Sequence, residues 1–379
     1  MNIKKIFIIL LFTACADIGY AKVYWQKKSD GLVMQDAFAA KITSSNFSSN
    51  ILLLGIDNSL YLSNDNADNW KQIKQFKYDE VIVDITSAQE QGISFIATSK
   101  SIYSIHEKTA TIVNIFKIKG QENNIFSLFA APPDSQKIFV GASNGIYYSD
   151  NSGKTWINFS NTQNFYVYKI LLNNKGIFFV TNKGIMFSDN LLKSFNNIYS
   201  WNVSKQEYSD DIKEEEDDEG EINRRIIAFI EKKGKLYLIT NKEFLFALDS
   251  KNFRNFNLTG LPDLDYVNDV EYGNALAACT KKGFYLYNKQ DARWQMALNG
   301  IDSLNIFAAN FSKDNDLFIV SDKGVYLKNH IDEAILNFDD LNNIKQYFKF
   351  EPSVNEVQEK AIFYGEVSKE KIDKWRKCV

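Results

Sequence analysis

The chain has 379 residues, 14% aromatic and 24% charged, with only four Pro, which is the composition of an ordinary globular protein rather than a disordered or fibrous one. Net charge is −3, so no global electrostatic attraction to nucleic acid is expected. Positive charge is nearly all Lys, with Arg at only five positions, 224, 225, 254, 293 and 376.

Lys4 and Lys5 precede an apolar run over 6–12, and Gly19-Tyr20-Ala21 places small residues where a signal peptidase reads. This predicts a signal peptide over 1–21 with Lys22 as the mature N-terminus. Thr13-Ala14-Cys15 also resembles a lipoprotein cleavage box, so lipidation at Cys15 is a competing expectation and a retained anchor a third. No later apolar run is long enough to span a bilayer as a helix. The expected location is periplasmic or secreted, with outer-membrane association open. Without Cys15 the chain keeps Cys279, in the apolar run Ala275-Leu276-Ala277-Ala278-Cys279, and the penultimate Cys378. A buried inert thiol plus a tail thiol and a disulfide between the two both stay open.

Over 22–344 one pattern returns seven times: an apolar strand, a short polar turn, then an aromatic strand. The aromatic strands start at Ser59, Ser101, Gly145, Gly184, Glu243, Gly283 and Gly324, at intervals of 42, 44, 39, 59, 40 and 41 residues. The strands before them fall at 51–54, 93–97, 137–140, 177–180, 235–239, 275–279 and 317–320. Their β-branched and aromatic bias suits strands buried on both faces. A period near forty predicts an all-β fold, a seven-bladed β-propeller. The one long interval is explained by an acidic insertion over 203–222 in the fifth blade.

Ser149-Asp150-Asn151-Ser152-Gly153-Lys154-Thr155-Trp156 resembles the Asp-box (BNR) repeat, with Asn151 in the Asp position. Weaker copies run from Ser63 and Asp65 to Asn69-Trp70, from Ser188 and Asn190 to Ser194-Phe195, and from Tyr287 to Arg293-Trp294. The physics is that of a tight hairpin. A short Asx side chain caps backbone N–H groups, Gly153 takes a positive φ, and the aromatic folds over the turn. Ser149, Asn151, Gly153, Thr155, Trp156, Ser63, Asp65 and Trp70 therefore read as turn residues, not ligands. The resemblance spans roughly 23–340 and is to sialidase-, sortilin- and photosystem II assembly factor-like propellers. It implies the fold more than an activity, because propellers host hydrolases, lectins and scaffolds alike.

Trp25-Gln26-Lys27-Lys28-Ser29-Asp30-Gly31-Leu32 parallels Trp294-Gln295-Met296-Ala297-Leu298-Asn299-Gly300-Ile301. The N-terminal segment thus reads as an outer strand that closes the last blade. A fourth strand from 334–338 is the alternative closure.

Candidate chemistry is sparse. Resembling sialidases hold a carboxylate with three Arg, one of them in the opening blade, and this chain has none before Arg224. Adjacent Arg224 and Arg225 would point to opposite sides of a strand. A glycosidase needs two carboxylates across a pocket. Asp84, Glu122 and Asp269 lie near predicted innermost strands, although solvated acids at blade mouths are the commoner case. His106 and His330 fall at turns on the outer halves of their blades, which disfavours a Ser-His-Asp hydrolase. No residues have metal-ligand spacing, and no cofactor is expected.

The run 209–221 holds nine acidic residues and one Lys. It reads as a solvated loop, or as a docking patch for a basic partner through Asp210, Asp211, Glu214, Glu215, Glu216, Asp217, Asp218 and Glu219. Residues 345–379 change character. Ser353 and Glu356 form a capping box before Val354, Val357 and Ala361 at helical spacing, which predicts a short helical tail. The tail also resembles the connector of bacterial propeller–barrel secreted proteins. The expected function is an exported, non-enzymatic scaffold for a protein partner in the cell envelope, with an outer-membrane barrel among the candidates and a monomeric state. A glycan-binding or glycan-hydrolysing propeller is the alternative.

Overall fold

The computed structural model describes residues 25–88, 92–131, 136–201, 224–247, 252–289, 291–298 and 300–329. The predicted signal peptide, the acidic insertion 203–222, the 334–338 strand and the tail 345–379 lie outside the described residues.

The N-terminal strand is β1 (Gln26–Lys27). Blade 1 is β2 (Ala40–Ser44), β3 (Leu52–Ile56), β4 (Ser59–Ser63) and β5 (Lys71–Gln75). Blade 2 is β6 (Ile82–Ser87), β7 (Ile93–Thr98), β8 (Ser101–His106) and β9 (Thr111–Lys117). Blade 3 is β10 (Ile125–Ala130), β11 (Ile138–Ala142), β12 (Gly145–Ser149) and β13 (Ile157–Asn158). Blade 4 is β14 (Val167–Asn173), β15 (Gly176–Thr181), β16 (Gly184–Ser188) and β17 (Asn196–Ser200). Blade 5 is β18 (Ile226–Lys232), β19 (Lys235–Thr240), β20 (Phe244–Ala247) and β21 (Arg254–Asn255). Blade 6 is β22 (Val267–Tyr272), β23 (Leu276–Thr280), β24 (Gly283–Asn288) and β25 (Arg293–Met296). Blade 7 is β26 (Ile306–Phe311), β27 (Leu317–Ser321) and β28 (Gly324–Lys328), completed on its outer edge by β1.

Each blade is a four-stranded antiparallel sheet. First strands touch first strands around the ring, and β2 meets β26 to close it. The closure is the one the N-terminal motif predicts: Gln26 pairs Leu327 and Lys27 pairs Tyr326. Trp25 occupies in blade 7 the place of Trp294 in blade 6, and its indole Nε1 donates to the Ala297 carbonyl of the preceding blade at 3.2 Å. Trp70, Trp156 and Trp294 make the same cross-blade bond, to the carbonyls of Lys28 (3.0 Å), Ile115 (2.9 Å) and Asn257 (3.1 Å). Each indole thus packs its ring at a blade seam while satisfying its donor, with Trp25, Trp70 and Trp294 buried and Trp156 partly buried.

The second strands are buried along their length in β3, β11, β23 and β27. They run a residue or two beyond the sequence expectation because the following turn needs only two residues. Third strands start at the expected residue in six blades, and at Phe244 rather than Glu243 in the fifth. Gly opens four of them for a steric reason. At Gly184 (φ +136°) a Cβ would lie 2.0 Å from the Tyr199 carbonyl oxygen, and at Gly324 (φ +129°) 2.0 Å from Ser29 Oγ.

The antiparallel order places two kinds of connection on each face of the ring. The upper face carries the links into each first strand and the turns between second and third strands. The lower face carries the first hairpins and the Ser-x-Asx turns. The acidic insertion joins β17 to β18, so it enters and leaves on the upper face.

Candidate functional site

The Ser-x-Asx turns share one hydrogen-bond pattern. Ser149 Oγ donates to Asn151 Oδ1 (3.0 Å) and accepts from Gly153 N–H (2.8 Å), while Asn151 Oδ1 also accepts from Thr155 N–H (2.9 Å). Ser63 and Asp65 repeat it with Ala67 and Asn69 at 2.8, 3.0 and 2.9 Å, and Ser188 and Asn190 with Leu192 and Ser194 at 3.1, 2.9 and 3.0 Å. The Ser hydroxyl and the Asx oxygen of each turn are thus engaged by backbone N–H groups. Asp65 is held below the usual carboxylate range mainly by the Asn69 N–H.

The chemistry concentrates at the axis. In each blade one residue of the first strand pairs with the penultimate residue of the second. Around the ring these are Lys41, Asp84, Ser127, Lys169, Ala228, Asp269 and Ala308. Six of the seven first strands carry a register shift just before this position, and β2 does not. Such bulges bend the strand and re-aim its side chains. Lys41 reaches Asp269 at 3.6 Å, passing blade 7, where the ring position is Ala308. Lys169 reaches Asp84 at 3.9 Å, passing blade 3, where it is Ser127. Small residues sit where the ion pairs need room. Asp84 also accepts from the Leu128 N–H at 3.2 Å.

Glu271 lies two residues beyond Asp269. Burial, reinforced by Asp269 and opposed by Lys41 and Lys232, pushes its carboxyl up to about 8. Lys41 is pushed up, chiefly by Asp269. Cys279, fully buried and unoxidised beside Asp269, is pushed well above the usual thiol range by burial. Cys378 lies outside the described residues.

The structure sorts the other candidates. Asp84 and Asp269 face the axis, whereas Glu122 is exposed on the link into β10 and contacts Asn123. His106 ends β8 exposed, and His330 is outside the described residues. Arg224 and Arg225 diverge: Arg224 lies 4.5 Å above the Trp201 ring and 3.5 Å from Glu243, while Arg225 donates to the Val267 carbonyl at 2.7 Å. Trp201 and Arg224 are the residues flanking 202–223, so the roots of the acidic insertion are stacked together. Asp210, Asp211, Glu214, Glu215, Glu216, Asp217, Asp218 and Glu219 themselves are outside the described residues. Among the described residues, no cluster of three His, Cys, Asp or Glu could hold a metal.

Two features had no signal in the repeat pattern. Glu107 is 2% exposed and accepts hydrogen bonds from Ser45, Ser87 and Ser94, stitching blades 1 and 2. On the upper face, the links into the first strands present Phe38, Tyr78, Tyr166, Tyr266 and Leu304, between 38% and 96% exposed. An open cleft of about 460 Å³, lined by Met34, Asp36, Asn305 and Lys323, lies at the closing seam of that face.

Solved structures share this architecture. The chain is similar to the extracellular domain of BT4673 from B. thetaiotaomicron (14% identity, TM-score 0.59), covering 82% of this chain but only 40% of that one. It is similar to YCF48 from Cyanidioschyzon merolae (12%, TM-score 0.56, 81% and 98% covered) and to YCF48 bound to D1 peptide (14%, TM-score 0.57, 83% and 97% covered). It is also similar to streptogramin B lyase (11%, TM-score 0.60, 82% and 100% covered). No protein-family model and no curated protein sequence matches the chain. At these identities the likeness establishes the fold, a seven-bladed β-propeller.

Proposed function

We propose that this propeller is an exported, non-enzymatic module that binds a protein partner in the cell envelope through its upper face. The observation that carries this reading is the set of exposed apolar residues on that face, Phe38, Tyr78, Tyr166, Tyr266 and Leu304. Large side chains left in water around one rim are what a protein interface later covers. The internal pairing of Lys41 with Asp269 and of Lys169 with Asp84 supports it, because the axial charges already satisfy one another. YCF48 bound to D1 peptide is a precedent for peptide recognition on this architecture. The acidic residues 209–221, rooted on the same face, supply a second contact for a basic segment of that partner. The shared Ser-x-Asx turns support the Asp-box relationship, and export follows from the predicted signal peptide.

One observation favours a glycan-active reading. Glu271, with its carboxyl raised to about 8 beside Asp269, has the form of an acid and carboxylate pair. A panel of fluorogenic glycosides separates the two. Robust turnover that Glu271→Gln abolishes refutes the binding module. Absence of turnover, with a defined envelope protein crosslinked to a photoreactive residue at Tyr78 or Tyr166, supports it.

A further inference from the structure

We propose that an arc of lysines set by one repeated turn makes the upper face a receptor for an acidic polypeptide segment. This deepens the protein-binding reading and rests on it.

The turn between second and third strands has the form Thr/Ser-x-Lys in five blades: Thr98-Ser99-Lys100, Thr181-Asn182-Lys183, Thr240-Asn241-Lys242, Thr280-Lys281-Lys282 and Ser321-Asp322-Lys323. In each, the hydroxyl accepts the lysine N–H, at 3.4, 3.0, 3.0, 2.9 and 3.0 Å. The same hydroxyl donates to the carbonyl three residues on, at 3.2, 3.0, 3.3, 2.8 and 3.3 Å. All five hydroxyl residues are 0% exposed, whereas Lys183, Lys242, Lys282 and Lys323 are exposed. A buried hydroxyl thus fixes the backbone so that a lysine leaves each turn toward the upper face. Blades 1 and 3 carry Asn58 and Asn144 in the lysine position. The exposed lysines therefore form a continuous arc over blades 4 to 7.

The ammonium groups are positioned rather than loose. Lys282 lies 3.5 Å above the Tyr266 ring and Lys183 5.3 Å from the Phe165 ring. Lys323 lines the open cleft at the seam. Lys242 is 3.8 Å from Asp265 with both side chains about half exposed, so that pair is readily exchanged for another carboxylate. Lysines on aromatic faces beside exposed Tyr166 and Tyr266 offer charge and apolar contact together.

The partner is a polypeptide rather than a bilayer for a reason of spacing. In the links and turns of that face, Asp263 and Asp265 fall between Lys242 and Lys282, and Asp302 and Asp322 between Lys282 and Lys323. A uniformly anionic lipid plane meets those acids at once, whereas an extended chain can set its carboxylates on the lysines and pass between the acids.

The test is fluorescence anisotropy with a labelled peptide of Asp, Glu and Tyr, its Asn, Gln and Tyr counterpart, and phosphatidylglycerol vesicles. The titration uses the full chain and a variant lacking 209–221, so that the chain's own acids do not mask the lysines. The acidic peptide binds, the amide peptide does not, and affinity falls with salt. The variant Lys183→Gln/Lys242→Gln/Lys282→Gln/Lys323→Gln binds at least about tenfold more weakly. A control of equal charge change on the lower face, Lys154→Gln/Lys175→Gln/Lys193→Gln/Lys313→Gln, binds as the parent does, with both variants checked for folding by circular dichroism. Equal loss in the control, or lysine-dependent binding to vesicles but not to peptide, overturns the inference. An envelope partner retained fully by the arc variant overturns the lysine arc and leaves the binding module standing. Glycoside turnover with no peptide binding removes both.

Discussion

Lys41 Nζ lies 3.6 Å from Asp269 Oδ1 although the two belong to blades 1 and 6. The bridge spans the closing blade at the axis, so it senses whether the ring is shut. Lys41 is also influenced by Asp84, whose own partner is Lys169, which couples the two pairs. Replacing Lys41 by Met leaves Asp269 without its ammonium in a poorly solvated channel. The expected cost is about 2–3 kcal/mol in urea denaturation, mostly recovered when Asp269→Leu is added. A loss in the double variant equal to the sum of the two single losses refutes the coupling.

Closure depends on a strand of two residues, Gln26 and Lys27. Trp25 anchors it, being 5% exposed and edge-on to Phe284 with ring centroids 5.5 Å apart. Trp25→Ala should cost about 3–5 kcal/mol. It should also make the N-terminal segment the first site of limited proteolysis, before any lower-face hairpin is cut. Trp25→Phe keeps most of the packing and loses only the bond to Ala297, about 1 kcal/mol.

Two equivalent turn positions should respond with opposite sign. Gly153 has φ +86° and a Cβ there would meet Ile115 at 2.5 Å, whereas Ala67, with φ +67°, already accommodates a side chain. Gly153→Ala is destabilising through both strain and contact, by at least about 1 kcal/mol, and Ala67→Gly is neutral or slightly stabilising. Thermal midpoints of the two variants shifting in the same direction contradict this.

The repeat made most of the fold legible, because blade burial demands apolar second strands at a constant spacing. Trp25 and Trp294 betrayed the closure for a similar reason: both seams need an indole with a carbonyl to bond. The axis was harder to read. Asp84 and Asp269 stood out only as acids near inner strands. Their partners Lys41 and Lys169 lie two blades away, and no local pattern relates residues that far apart. Glu122, an equally plausible acid by sequence, ends in solvent because the link into β10 carries it off the strand. The Thr/Ser-x-Lys turns were present in the sequence, but lysines in polar turns look like ordinary solvated residues until the shared face is known.

Lys328 is 7% exposed, and burial pushes its amine down to about 8. The unfolded chain binds this proton more tightly, so stability rises with pH between about 8 and the ordinary lysine range and the full cost is present below 8. Lys328→Met should therefore stabilise the protein at pH 7 by about 2 kcal/mol, with a smaller gain at pH 10. A gain independent of pH would assign the effect to packing alone.

Glu271 gives the opposite slope. Its carboxyl is raised from the usual range to about 8, so the folded state keeps a proton that the unfolded chain releases above about pH 4.5. Over that interval the native state binds more protons, and stability falls as pH rises, levelling off above 8. The groups facing it are Asp269 and Asp84, which oppose ionisation, and Lys41 and Lys232, which favour it. Glu271→Gln mimics the protonated side chain, so it should match the parent near pH 4.5 and exceed it by roughly 3 kcal/mol at pH 8.5. Urea midpoints measured across that range decide the matter. Parallel curves for parent and variant mean that Glu271 titrates normally and that the channel is wetter than its packing implies. That outcome would also withdraw the one observation favouring glycan chemistry, because a normally ionised Glu271 is no general acid at neutral pH.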